Sequence, residues 1–369
     1  MSDKIRQIQS HGQSIWMDYI SRDMLTSGEL VRLIYNGITG VTSNPTIFEK
    51  AISGSTDYDE DLAALAKQNS DTLAVYESLT LADIRTAADL LRPVYSETQG
   101  CDGFVSLEVN PALAHNTDDT IEEAKRLSAE LDRPNVMIKV PGTEEGMPAI
   151  QHLISQGINV NVTLIFSLDA YAKVREAYIA GLEERSRAGY PVDRVASVAS
   201  FFISRVDTAV DALVEQSNEP EGLFGSAAVA NAKLAYDAFR RTFRTERFDR
   251  LRAQGAQVQR PLWASTSTKN PQYSDLLYVE PLIGPDTVNT MPPATFEAFL
   301  DHGKVASTLE DGIEGAHKTM QSLQHLNIDL NRVTDILLSE GTAAFRDSYE
   351  KLLTNLDSKI RELSIPARR

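Results

Sequence analysis

Eight short apolar runs, each ending in polar residues and each followed by a helix-like stretch, narrow the folds open to this chain. They are Ser14–Ile20, Gly40–Asn44, Gly103–Asn110, Asn135–Pro141, Asn159–Phe166, Val195–Ile203, Arg260–Ser267 and Thr287–Met291. Amphipathic stretches such as Asp118–Leu131, Leu168–Ala188 and Asp207–Gln216 lie between them. Strands alternating with helical patterns imply βαβ units and a parallel sheet. Eight such units predict an α/β fold of the TIM (β/α)8 barrel type rather than an open doubly wound sheet. The runner-up, a six-stranded open sheet, would need a Gly-rich phosphate loop after its first strand. Asp18-Tyr19-Ile20-Ser21-Arg22-Asp23 contains no glycine, so that signal is absent.

Two regions exceed what a minimal barrel needs. Residues 206–259 hold a helix, a Gly/Pro-containing loop (Asn218–Gly225) and a second helix through Phe243. From about residue 293 the chain reads as almost wholly helical, ending with Val333–Leu363. No repeat or linker divides it, so the expectation for 1–369 is one barrel domain with helical additions.

The net charge of −16 disfavours nucleic acid and anionic membrane as partners. A phosphorylated substrate would need a local basic pocket. Cys101 is the only cysteine, which excludes an internal disulfide and fits a reducing compartment. Met1 to Gln13 is polar, without the apolar run of a signal peptide. No stretch approaches the roughly 20 apolar residues of a membrane span. A cytoplasmic location is expected, and assembly into a homo-oligomer is compatible with the sequence.

Barrel active sites lie at the C-terminal ends of the strands. The first run ends at Asp18, the second at Asn44, and the third at Glu108 and Asn110. The fourth carries Lys139 in Val136-Met137-Ile138-Lys139-Val140-Pro141-Gly142, with Thr143-Glu144-Glu145-Gly146 expected to open a helix capped by Thr143. The fifth carries Asn161 and Thr163, and the sixth ends with Ser200 and reaches Arg205. The seventh supplies Ser265 and Thr266, with Lys269 just beyond. One such Asn or Thr would be an ordinary satisfied core group; a lysine, two acids and two amides at equivalent strand ends argue for a polar pocket. Burial of Lys139 disfavours the charged ammonium and favours a neutral, nucleophilic amine. A lysine with two acids suits carbonyl capture and C–C cleavage through a Schiff base. Asparagine amides suit sugar hydroxyls, and Arg205 with Lys269 suits a phosphate. His11, His115, His152, His302, His317 and His325 are scattered away from the strand ends, which disfavours a zinc aldolase. The basic run from Arg240 to Arg252 is interrupted by Glu246 and Asp249 and reads as a solvated, ion-paired helix face.

At these residues the chain resembles the transaldolases. The segments that carry the resemblance are Gly40-Val41-Thr42-Ser43-Asn44-Pro45-Thr46-Ile47, Met137 to Gly146, Asn159 to Phe166, and Leu262 to Pro271 through Pro285 to Pro292. The last looks like the longer bacterial branch of that family. The resemblance implies Lys139 as Schiff-base lysine, Asp18 as acid/base, and Glu108 with Thr163 handling a catalytic water. It further implies Asn44, Asn161 and Ser200 on a dihydroxyacetone unit, and Arg205 and Ser265 on a phosphate. Lys269 is inferred as the second phosphate cation, because a longer loop replaces the Ala-Ser-Phe-Arg of shorter members. The implied reaction moves dihydroxyacetone from sedoheptulose 7-phosphate or fructose 6-phosphate to glyceraldehyde 3-phosphate or erythrose 4-phosphate. It belongs to the non-oxidative pentose phosphate pathway and needs no metal or organic cofactor. A Schiff-base lyase releasing free dihydroxyacetone is the nearest rival, but such relatives carry a Tyr where Phe202 stands and lack the acid at Glu108. A silent barrel that only binds sugar phosphates would not need Lys139.

Overall fold

The eight apolar runs form strands β1 (Gln13–Met17), β2 (Gly40–Thr42), β3 (Phe104–Glu108), β4 (Val136–Pro141), β5 (Val160–Ile165), β6 (Ser197–Phe202), β7 (Arg260–Ala264) and β8 (Thr287–Met291). The computed structural model describes residues 3–67, 71–217 and 222–364. Strands pair in chain order and β8 returns to β1, closing a barrel in which every neighbouring pair is parallel. The TIM-barrel expectation holds. The strands stop earlier than the apolar runs where polar backbone leaves the ladder. Beyond Ala264, for example, Ser265 takes a left-handed φ of 56°.

All residues of β4, β5 and β6 are buried, as parallel strands covered on both faces require. Trp16 and Trp263 are fully buried. Each indole N–H has a partner: Trp16 Nε1 donates to Asp102 Oδ1 at 2.8 Å and Trp263 Nε1 to the Leu282 carbonyl at 3.1 Å. Both tryptophans therefore belong to barrel packing.

Helices connect the strands and set the site. Asn44 is extended (φ −158°, ψ 168°), and its Oδ1 accepts from Ile47 N at 2.9 Å, capping the helix Pro45–Ser53 with proline in the first turn. The helix after β4 differs from expectation. It runs Gly146–Ser155, with Glu145 rather than Thr143 at its cap position, two residues later than expected. Thr143 Oγ1 still accepts from Gly146 N at 3.0 Å, so the hydroxyl serves a turn that precedes the helix. Helices Ser204–Glu215, Ala227–Phe243 and Glu246–Arg252 lie between β6 and β7. Residues 218–221 of the Gly/Pro-containing loop lie outside the described residues. Much of the basic run is ion-paired: Arg240 with Glu310 at 3.0 Å, Arg241 with Asp237 at 2.9 Å, and Arg247 with Glu183 at 2.8 Å.

After β8 come helices Pro293–His302, Ile313–His325 and Leu330–Ser364. The last is strapped to the helix Pro45–Ser53 by Thr46 to Ser348 (2.9 Å), Lys351 to Glu49 (2.9 Å) and Lys359 to the Ile52 carbonyl (3.3 Å). Among the described residues, no helix is long and apolar enough to cross a membrane.

Gly40 is a tight point of the barrel wall, since a Cβ there would lie 2.5 Å from the Trp16 indole. Because that ring is fully buried, it has little room to retreat. Gly40→Ala is therefore expected to destabilise the protein by about 1–3 kcal/mol, as overpacked cores do. Denaturant unfolding measures this, and unchanged stability would mean that the indole moves freely.

Candidate active site

The register of β3, β4 and β5 sets three polar side chains abreast: Glu108 pairs with Lys139, and Lys139 pairs with Asn161. Lys139 Nζ donates to the Ser43 carbonyl at 2.9 Å, and its side chain is only 6% exposed. Glu108, 5% exposed, brings Oε2 within 3.6 Å of that nitrogen, an ion-pair distance too long for a hydrogen bond. Glu108 Oε2 and Thr163 Oγ1 are both buried without a hydrogen-bond partner among the described residues. Burial pushes the Glu108 carboxyl up to about 7, and the Lys139 charge opposes that rise without cancelling it. This carboxyl is therefore poised to gain or lose a proton near neutrality.

Lys139 opens on a cavity of about 320 Å3 at the strands' C-terminal mouth, lined also by Asp18, Asn44, Thr163, Ser200 and Arg205. Asp18 Oδ1 accepts from Thr42 Oγ1 at 2.7 Å, and Thr42 Oγ1 lies 2.9 Å from Thr290 Oγ1. Burial raises the Asp18 carboxyl above its ordinary value, while the Thr42 hydrogen bond and the charges of Lys139 and Lys269 pull it back. Asn161 is buried, donates to Ser106 Oγ at 3.0 Å and accepts from Ser200 Oγ at 2.7 Å. In β5 the pairing register with β6 shifts between Val162 and Ile165, and Leu164 adopts a φ of 59°. Such a bulge breaks strand alternation beside an active site.

The cationic side is built from β6 and β7. Arg205 stands in the first turn of the helix Ser204–Glu215, its guanidinium 5.5 Å from the Phe202 ring centroid. Burial lowers its affinity for the proton, and the Glu340 carboxylate partly offsets this. Ser265 Oγ lies 2.9 Å from Ser204 Oγ, which ties the exit of β7 to the start of that helix. Lys269 donates to Ser267 Oγ at 2.7 Å. Its ammonium is lowered first by burial and then by repulsion from Arg205. Tyr273 donates to Asp211 Oδ2 at 2.7 Å, fastening the Lys269 loop to the same helix as Arg205. Thr266 Oγ1 donates to the Thr290 carbonyl at 2.9 Å, a structural bond.

Asp18, Asn44, Lys139, Thr163, Ser200, Arg205, Ser265 and Lys269 therefore face one cavity, with Glu108 and Asn161 in direct register beside Lys139. Asn110 instead caps a short turn through Ala112 N at 3.0 Å. Sequence reasoning missed Thr42 and Thr290, whose signal was only their place at strand ends. It also missed Lys50, inside an ordinary amphipathic helix, and Phe345, which reaches the cavity from the last helix.

The transaldolase/fructose-6-phosphate aldolase family model matches residues 15–356. The chain belongs to this family. It is 48% identical to transaldolase 2 of Nostoc sp., over 97% of this chain and 98% of that protein. It is 45% identical to the transaldolase of Trichodesmium erythraeum, over 99% of each, and 47% identical to that of Mycolicibacterium smegmatis, over 94% of each. Transaldolase function, and with it a transferase, is what the family and these near-full-length relatives support.

In this transaldolase-family barrel the dry Glu108 carboxyl carries a pH signature. Its folded value, about 7, lies above its ordinary 4.5, so the folded state binds this proton more tightly than the unfolded state does. The resulting cost to stability is absent below the unfolded value, grows as pH rises, and is complete above about 7. At about 1.4 kcal/mol per pH unit it is on the order of 3 kcal/mol. Glu108→Gln should stabilise the protein at pH 8 by about 1–3 kcal/mol more than at pH 5. Thermal unfolding at both pH values is the check; a gap independent of pH would mean that Glu108 does not titrate in this range.

Proposed function

We propose that the transaldolase reaction runs through a Schiff base on Lys139, with Asp18 as acid/base and Glu108 and Thr163 managing water. The observation that carries this reading is the buried Lys139 nitrogen, 3.6 Å from Glu108 Oε2, opening on a cavity that also holds Asp18 and Arg205. The neutral amine attacks the ketose carbonyl carbon, and the former carbonyl oxygen takes protons and leaves as water, giving an iminium. Glu108 supplies and recovers a proton in that dehydration. Asp18 then removes the proton of the hydroxyl beside the scissile bond. The C3–C4 bond breaks, its electron pair flows into the iminium, and an aldose departs, leaving a three-carbon enamine on Lys139. The enamine carbon attacks the acceptor aldehyde, Asp18 returns its proton to the new alkoxide, and water releases the ketose product.

Asn44, Asn161 and Ser200 hold the hydroxyls of the dihydroxyacetone unit in this reading. Arg205, Ser265 and Lys269 hold the phosphate, close to the start of the helix Ser204–Glu215, whose positive end favours an anion. The donors are sedoheptulose 7-phosphate or fructose 6-phosphate, and the acceptors glyceraldehyde 3-phosphate or erythrose 4-phosphate, in the cytoplasmic pentose phosphate pathway. Phe202 favours transfer over release, because its ring, 5.1 Å from that of Phe166, brings no second acid to the cavity.

Borohydride added with fructose 6-phosphate should leave a reduced three-carbon unit on the peptide containing Lys139, read by mass spectrometry. Lys139→Ala should abolish both the label and turnover, and label on another lysine would sink the assignment. Arg205→Ala should weaken phosphorylated donors and acceptors by about 1.5–3 kcal/mol while sparing free dihydroxyacetone as donor. Steady-state kinetics with both donor types test this, and equal losses would make Arg205 structural.

A further inference from the structure

The cavity mouth carries a cation that the phosphate site described above does not use. Lys50 lines the same cavity as Arg205 and Lys269 and stands exposed at its rim. Its charge acts on Lys269, as does that of Arg205. The three reach the mouth from separate parts of the barrel: the helix after β2, the helix after β6 and the loop after β7. Among the described residues, none of the three is in an ion pair with a carboxylate, whereas Arg126, Arg133, Arg240, Arg241, Arg247 and Arg252 each are.

The local sequence keeps Lys50 free for the cavity. Its helical neighbours at three and four residues are Thr46, Ile47, Ser53 and Gly54, none of them acidic. The adjacent carboxylate, Glu49, is taken by Lys351 at 2.9 Å and by Asn355 at 3.1 Å from the last helix. Asn44 caps the helix and fixes its start beside the cavity, and Lys50 lies a little over one turn beyond Thr46, which also lines the cavity.

A chain of net charge −16 repels a phosphate dianion at long range. A lip of unpaired cations reverses that field locally, and a cation at the exposed rim does so earliest along the approach. We propose that Lys50 is a specificity determinant: with Arg205 and Lys269 it forms a three-cation mouth that draws in and retains phosphorylated acceptor aldehydes in preference to uncharged ones. The inference rests on the phosphate reading of Arg205 and Lys269.

The test varies the acceptor at saturating fructose 6-phosphate, comparing glyceraldehyde 3-phosphate with unphosphorylated D-glyceraldehyde at low ionic strength. Lys50→Gln should raise KM for glyceraldehyde 3-phosphate by about three- to fivefold, the size expected of a solvent-exposed charge, with kcat unchanged. Lys50→Glu should raise it further, and Lys50→Arg should restore it. Added salt should shrink the difference, because exposed charges are screened within a Debye length of about 8–10 Å. D-Glyceraldehyde kinetics should not change in any variant. An equal loss with both acceptors would overturn the proposal by making Lys50 structural, and so would an unchanged KM for glyceraldehyde 3-phosphate in Lys50→Gln. Arg205→Ala in the same assay separates these outcomes from a failure of the phosphate reading, which would show as an equal loss with glyceraldehyde 3-phosphate and D-glyceraldehyde in that variant.

Discussion

The register between β3, β4 and β5 is the constraint on which the site depends. A shift of one residue would turn Lys139 away from the barrel interior and separate it from Glu108 and Asn161. Closure of the barrel forbids that shift, because each strand is hydrogen-bonded on both edges and no edge is free to slip. Lysine and glutamate are thus held a few ångströms apart in a dry place that neither would occupy alone. Burial keeps the carboxyl near 7 despite the neighbouring cation, which is the property an acid–base group needs at neutral pH.

That arrangement works against stability. A buried carboxylate oxygen without a hydrogen-bond partner, a threonine hydroxyl in the same condition, and left-handed Leu164 and Ser265 each lower the stability of the fold. They lie at the C-terminal strand ends; at the barrel floor Gln13 donates to the Leu282 carbonyl at 2.6 Å and Arg260 to the Thr287 carbonyl at 2.6 Å, although Gln13 Oε1, Asn135 Oδ1 and Gln259 Oε1 are buried there without partners among the described residues. The large apolar core offsets the strain at the mouth. The last helix adds a clamp, tying its residues 348–359 to the helix that begins at Asn44 and bringing Phe345 to the cavity.

Electrostatics divides the molecule in the same way. The chain as a whole is acidic and many of its arginines are paired, whereas the mouth gathers Arg205, Lys269 and Lys50 with no carboxylate at ion-pair distance among the described residues. Tyr273 on Asp211 links the loop of Lys269 to the helix of Arg205, so two cations that repel each other are held together by bonds some distance away. A phosphate bound there would relieve that repulsion.

Periodicity and composition alone determined the eight strands, since continuous apolar runs bounded by polar residues have few other uses in a parallel sheet. They also exposed Lys139, Asp18 and Asn44, because a charge or amide at the end of an apolar run is conspicuous. Local signals were weaker at helix starts: Thr143 has the right side chain for a cap, yet the helix waits until Gly146, since the backbone first completes a turn. Tertiary folding alone brings Glu108 within 3.6 Å of Lys139, sets Thr42 between Asp18 and Thr290, and carries Lys50 and Phe345 to the mouth. Those contacts join residues far apart in the chain, and their distances follow from barrel closure and helix packing, which no local pattern encodes.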